Sequence, residues 1–315
     1  MEEIIYPEEL ANSLLVMVQK NLDKIESTFG IEVALRGNKI MFSGEAESIK
    51  KFRKYMQHMI QLAQDDMQWT PADFNMSLSM IDNEKIDLIK DELNKKVKIT
   101  INGKTIFPKT YNQREYVKAM HANDLVFGLG PAGTGKTFLA ICMALTMLYS
   151  KRVERIVLTR PVVEAGEKLG FLPGDIQQKV NPYFRPIYDA LYHLVGFEKT
   201  AEMIEKEIIE IAPLAYMRGR TIENAFILLD EGQNTVNSQM KMFLTRFGQN
   251  SKVVVTADTT QIDLPEPKKS GIFNAIRILD KVDGIRIVYM NKTDVVRHTL
   301  VQRIIEAYER KGDAF

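Results

Sequence analysis

The stretch GPAGTGKT, Gly130 to Thr137, limits what this chain can fold into more than any other feature of its 315 residues. It fits G-x-x-x-x-G-K-[ST], and it lies between the apolar run DLVFGLG and the helical pattern FLAICMALTML, the context that pattern requires. Gly130, Gly133 and Gly135, with Pro131, Ala132 and Thr134 between them, form a turn whose backbone N–H groups can face one phosphate; the N-terminus of the following helix adds partial positive charge. Lys136 is expected to reach the β and γ oxygens of a nucleotide and the Thr137 hydroxyl to ligate Mg²⁺. ATP and Mg²⁺ are therefore the expected cofactors. From about residue 105 onward, helical patterns alternate with five apolar runs, DLVFGLG, RIVLTRP, AFILLDE, KVVVTAD and IRIVYMN. Runs of this kind are buried parallel strands, and the fold class expected is α/β.

The acidic residues that follow fit the same chemistry. AFILLDE ends in Asp230 and Glu231. A carboxylate at the end of a buried strand can hold Mg²⁺ through its water shell, so Asp230 is the expected metal-side partner of Thr137. Glu231 is placed to orient and deprotonate a water. The next strand ends VVVTADTTQ, similar to the G-D-x-x-Q of superfamily 1 helicases, which makes Asp258 and Gln261 candidate γ-phosphate sensors. Gln113, 17 residues before the P-loop, stands where such helicases carry an adenine-reading glutamine. A competing signal is Asn291-Lys292-Thr293-Asp294, which spells the N-K-x-D of a guanine reader. A GTPase would also need D-x-x-G, whereas Asp230 is followed by Glu231, Gly232 and Gln233. The tetrapeptide is read as a turn, with Asp294 the N-cap of a helix carrying Arg297 on its first turn.

Composition narrows the partners. Forty-two basic and forty-one acidic residues leave a net charge of +1, so no global field draws the chain to nucleic acid or membrane. An acidic N-terminus and the lack of a membrane-length apolar run point to a cytoplasmic protein with no membrane partner. Cys142 is the single cysteine, and among Ile141, Met143 and Ala144 it reads as a packed core thiol. Residues 1–65 read as helix, strand, strand, helix, with the second helix over Ala46 to Gln64. That order resembles the second half of a KH module, but the segment has no GxxG loop and carries eight basic against ten acidic residues. Nucleic-acid contact there would run through Lys50, Lys51, Arg53 and Lys54; protein docking is the alternative. Residues 66 to about 96 read as a linker or a loosely packed arm with one short helical stretch near EKIDLIKDEL, followed up to 104 by a hairpin around Asn102-Gly103, and 105–315 as the nucleotide-binding domain.

Five further blocks complete the pattern: TRPVVEAGEKLGFLPGD, NPYFRPIYDAL, PLAYMRGRT, LLDEGQNT and DVVRH. With the P-loop they closely resemble the PhoH-like ATPase family. The resemblance implies an ATP-hydrolysing, RecA-like P-loop core related to superfamily 1 helicases, preceded here by the small KH-like α+β domain. It also implies RNA, single-stranded, as the partner. The family usually has Ala where Gly232 stands and Gly where Ala257 stands. Glycines and a proline in EAGEKLGFLPGD suggest a mobile functional loop. Arg160, Arg218 and Arg220 would bring guanidinium groups to the sheet's carboxyl edge, to meet RNA phosphates or complete a neighbour's site. Arg297 is expected to be catalytic, as a trans-acting finger or an in-chain sensor. A single motor unit points to a homo-oligomer, a hexameric ring included. The other readings are an ATP-gated switch acting on an RNA-processing nuclease partner and a phosphotransferase.

Overall fold

The computed structural model describes residues 2–6, 14–64, 71–81, 85–94, 97–101, 103–162, 181–295, 300–301 and 304. The block EAGEKLGFLPGD, Asn102 and Arg297 with His298 lie outside the described residues. The chain divides into two compact units, 1–96 with 109–111, and 97–108 with 112–315.

In the first unit, β1 (Glu2–Ile5), β3 (Lys39–Gly44) and β2 (Ile31–Arg36) form an antiparallel sheet in that order. Helices α1 (Val16–Lys20), α2 (Leu22–Phe29) and α3 (Ala46–Gln64) accompany it. The turn at Gly30 has φ +65°, a left-handed cap that closes α2 and releases the chain into β2. Two features differ from expectation. Strand β1 adds an edge that the four-element reading lacks. The segment expected as a linker or loosely packed arm supplies α4 (Pro71–Ser79) besides α5 (Ile89–Asn94), which falls on its expected helical stretch, and Phe74, Met76, Leu78, Ile86, Ile89 and Leu93 join the core of this unit. Its polar residues concealed that role: Ser77 and Ser79 are buried because their hydroxyls donate to the carbonyls of Phe74 and Met76. The basic residues of α3 are largely compensated. Lys51 pairs with Glu47, Arg53 with Glu2 and Lys54 with Asp87.

The second unit opens with the hairpin β4 (Ile99–Ile101) and β5 (Lys104–Ile106), whose Ile99 and Ile101 join that unit's core. Helix α6 (Tyr111–Ala122) leads into β6 (Leu125–Leu129) and α7 (Lys136–Tyr149). There follow β7 (Arg155–Arg160), α8 (Arg185–Val195), α9 (Phe197–Glu205), β8 (Ile209–Pro213) and β9 (Ala225–Leu229). The described elements end with α10 (Asn237–Leu244), β10 (Lys252–Ala257), α11 (Gly271–Leu279) and β11 (Ile285–Tyr289). Six strands form one parallel sheet in the order β11-β6-β10-β9-β7-β8. This is the RecA-like α/β core expected, with β8 as a sixth strand.

Period-two side-chain geometry explains the layers. Val126, Phe226 and Leu228 face α7 and α8 in one cluster, while Leu125, Phe127, Ile227 and Leu229 face α10 and α11 in the other. Both faces are covered, so β6 and β9 are apolar and buried throughout, whereas the edge strand β11 is not. Helix α7 lies against this sheet, with Cys142 buried and its thiol pushed up to about 12 by desolvation.

Candidate nucleotide site

Register brings the functional residues together. Leu129 is level with Ala257, and Thr159 with Leu229, so the chains leaving β6, β10, β9 and β7 emerge at one edge. The residues that follow are Gly130, Asp258 and Asp230, and β7 itself ends in Arg160. The carboxyl edge of a parallel sheet is where such folds hold ligands. A cavity of about 450 Å³ opens there, lined by Ala132, Gly133, Gly135, Lys136, Thr137, Asp230, Glu231, Asp258 and Gln261, with Phe138 and α8 forming the opposite wall.

The P-loop is tied down at both ends. Gly130 donates to the Ala257 carbonyl at 3.1 Å, and a Cβ at Gly130 would stand 2.5 Å from the Met290 carbonyl oxygen. At φ +149° and with no room, only glycine fits. The buried Thr134 hydroxyl donates to the Pro131 carbonyl at 2.9 Å. Gly135, at φ +81°, caps α7. The Lys136 ammonium donates to the carbonyls of Gly130 and Pro131 at 2.6 and 2.8 Å, folded onto the loop it serves. Burial lowers its pKa, opposed by Asp258, Glu231 and Asp230.

Asp230 is the centre of the acidic side. Its Oδ1 accepts from the Thr137 hydroxyl at 2.7 Å and from the Thr256 hydroxyl at 2.6 Å. Glu231 has φ +55°, a left-handed conformation uncommon for glutamate. Burial raises its pKa first and Asp230 second, with Arg160 and Lys136 acting against them. Gln233, fully buried, donates to the Glu231 carboxylate and to the Gln261 carbonyl, and its own oxygen accepts from the Asp258 N–H at 2.9 Å. Asp258 Oδ1 accepts from the Thr260 N–H and hydroxyl, while its buried Oδ2 has no partner among the described residues. Asn234 and Asp263 bond to each other in both directions.

This arrangement fits a magnesium ion delivered with a nucleotide. A hydroxyl and a carboxylate 2.7 Å apart are hard oxygen donors. Among the described residues no group of three or more His, Cys, Asp or Glu could hold a metal ion by itself. Asp230, Glu231 and Asp258 outnumber Lys136 and Arg160, leaving negative charge for a cation to neutralise.

The other expected residues have the following partners. Gln113 is buried and its amide donates to the Thr134 carbonyl at 3.0 Å, so it braces the P-loop. Arg160 reaches toward Asp230 and Glu231, whereas the Arg220 fork closes on both oxygens of Glu210 and Arg218 is exposed. Asp294 is fully buried, accepting from Asn112 at 2.8 Å and from the Asn291 N–H at 2.8 Å. Asn291 caps the short 3₁₀ turn Lys292–Asp294, and the start of the helix expected after Asp294 lies outside the described residues. An acid with no exposed surface is not presented to a guanine base. At Gly232, a Cβ would approach Val255 Cγ1 to 2.7 Å, so the glycine here matches the packing beneath it. Sequence reasoning missed Thr256 and Gln233, although both lie within stretches it singled out, VVVTADTTQ and LLDEGQNT.

Among the described residues no helix is long and apolar enough to cross a membrane. A PhoH-like protein from Bacillus subtilis is 45% identical over 92% of this chain and 91% of its own length. One from Mycobacterium tuberculosis strain H37Rv is 46% identical over 96% of this chain and 86% of its own. The PhoH protein of Escherichia coli K12 is 47% identical over 64% of this chain and 58% of its own. A solved Sulfolobus solfataricus SWI2/SNF2 ATPase core in complex with dsDNA aligns with 58% of this chain and 44% of that chain at TM-score 0.35 and 12% identity, too distant to build on. The family model for PhoH-like proteins matches residues 105–309, from the hairpin through the P-loop and the Asp230-Glu231 strand end. The chain therefore belongs to the PhoH-like family.

Proposed function

We propose that this chain hydrolyses ATP in the cavity at the end of β6, β9 and β10 and uses the turnover to bind and remodel RNA. The observation that carries the hydrolytic reading is the Thr137–Asp230 contact at 2.7 Å, with Lys136 and Glu231 lining the same cavity. Thr137 and Asp230 would hold Mg²⁺, which supplies charge neutralisation at the phosphate oxygens. Lys136 leaves the loop carbonyls for the β and γ oxygens. Glu231 takes a proton from water as its oxygen bonds to the γ-phosphorus. The bond from that phosphorus to the bridging oxygen breaks, and ADP departs with the electron pair. Gln113 holds the loop that receives the phosphates. Gln261 and Asp258, which line the same cavity, would sense the γ-phosphate, and a change in phosphate occupancy can pass through Gln233 to the loop after β10. That connection, with the helicase-like order of motifs, supports RNA as the partner. Arg297 completes the site as a finger within a homo-oligomeric ring.

Turnover of ATP and of GTP by wild type, Lys136→Ala and Glu231→Gln, each with and without single-stranded RNA, tests the reading. We expect both variants to lose hydrolysis, Glu231→Gln alone to retain ATP, and RNA to stimulate the wild type. Slow hydrolysis indifferent to RNA would replace RNA remodelling with an ATP-gated switch acting on a protein partner. Wild-type turnover by Glu231→Gln would remove that residue from the chemistry.

A further inference from the structure

The guanidinium of Arg160 joins two sides of the nucleotide cavity. Nη2 stands 3.5 Å from Glu231 Oε1 and Nη1 3.8 Å from Asp230 Oδ2, while Nη1 also donates to the Tyr183 carbonyl at 3.0 Å. Tyr183 lies just before α8, and Pro186, Asp189, Ala190 and His193 of that helix form the far wall. The side chain is 21% exposed, so the pairing is screened less than a surface ion pair. Asp230 and Glu231 are consecutive carboxylates at one strand end. Gln233 donates to the Glu231 carboxylate from the buried side, and Arg160 supplies the nearest cation to offset the repulsion between Glu231 and Asp230.

We propose that Arg160 is a positioning residue for Glu231, holding its carboxylate over the place where the γ-phosphate and attacking water meet. The inference rests on the hydrolytic reading above and deepens it. Arginine suits the task because its planar fork offers several N–H groups in fixed directions, so one group can serve the Tyr183 carbonyl and both acids. Lysine offers a single charged centre and reproduces only part of this. The role lies within one subunit, and it differs from contact with RNA phosphates or with a neighbour's nucleotide.

A double-mutant cycle on the full chain tests it, with Mg·ATP as substrate and single-turnover product formation as the readout. Arg160→Ala is expected to lower kcat by about 10- to 100-fold while KM for ATP changes less than about threefold, since the lost interaction orients the base and does not bind nucleotide. Arg160→Lys should recover part of the rate. In a Glu231→Gln background, adding Arg160→Ala should change the residual rate by less than about twofold, because a residue acting through Glu231 has nothing left to position. Full additivity in the cycle overturns the proposal. So does a loss seen only in RNA-stimulated turnover, or one rescued by mixing Arg160→Ala with Lys136→Ala subunits. Thermal melting and fluorescent-ATP binding establish that each variant is folded, and Arg160→Lys carries the same cycle if Arg160→Ala is not. Should Glu231→Gln turn over ATP at the wild-type rate, the hydrolytic reading itself fails; an inactive Glu231→Gln beside a fully active Arg160→Ala removes only this inference.

Discussion

Replacing Thr256 by valine would test how the acidic half of the site is held. Thr256 is 1% exposed and its hydroxyl donates to Asp230 Oδ1 at 2.6 Å. Valine has nearly the same shape, so the change removes a hydrogen bond without opening a cavity. A hydrogen bond to a charged group contributes about 1.5–3 kcal/mol. In the free protein the same oxygen keeps a second donor, the Thr137 hydroxyl at 2.7 Å. When Thr137 turns to a metal ion, Thr256 is the remaining hydroxyl on Oδ1. The loss should therefore fall mainly on the nucleotide complex: at 1.36 kcal/mol per factor of ten, Mg·ATP binding weakens by about 10- to 150-fold. Titration with a fluorescent ATP analogue in magnesium and in EDTA would read this, with the EDTA affinity changing far less. Thermal unfolding of the nucleotide-free protein should shift down by only a few degrees. Unchanged affinity in magnesium would refute the argument, for it would mean that the Thr256 hydroxyl does not hold Asp230.

Two other substitutions address separate findings. Asp294→Ala removes a fully buried acceptor for Asn112 and the Asn291 N–H, leaving two donors unsatisfied; we expect about 2–4 kcal/mol of destabilisation and no change in the preference for ATP over GTP. Denaturant melts and competition binding report these outcomes, and a switch in base preference would restore the guanine reading. Phe74→Ala in the first unit should cost about 3–5 kcal/mol, because Phe74 is 1% exposed within that unit's core. Denaturant unfolding followed in that unit would show little change if the segment were a linker.

The backbone-level chemistry of the P-loop was legible in one line of sequence, because its glycines, lysine and threonine act through spacing over eight consecutive residues. The buried strands β6, β9 and β10 were equally plain, since a parallel sheet covered on both faces needs continuous apolar runs. Strand β8, with Glu210 within it, and the four-residue β1 lacked such a run and were missed. Residues 71–94 looked polar enough to be a linker; burial of Ser77 and Ser79 became tolerable only once their hydroxyls met helix carbonyls. Sequence named Asp230, Glu231 and Arg160 separately. Parallel register, which depends on strand order, placed their side chains at one edge. Thr256 meets Asp230 across 26 residues and Asp294 meets Asn112 across 182, separations at which no local pattern carries a signal. What the sequence alone determined was the kind of chemistry, because that depends on residue type at short spacing. The tertiary structure decided which of these side chains meet at the sheet edge and which brace the fold, because those placements depend on partners that only packing brings within hydrogen-bond reach.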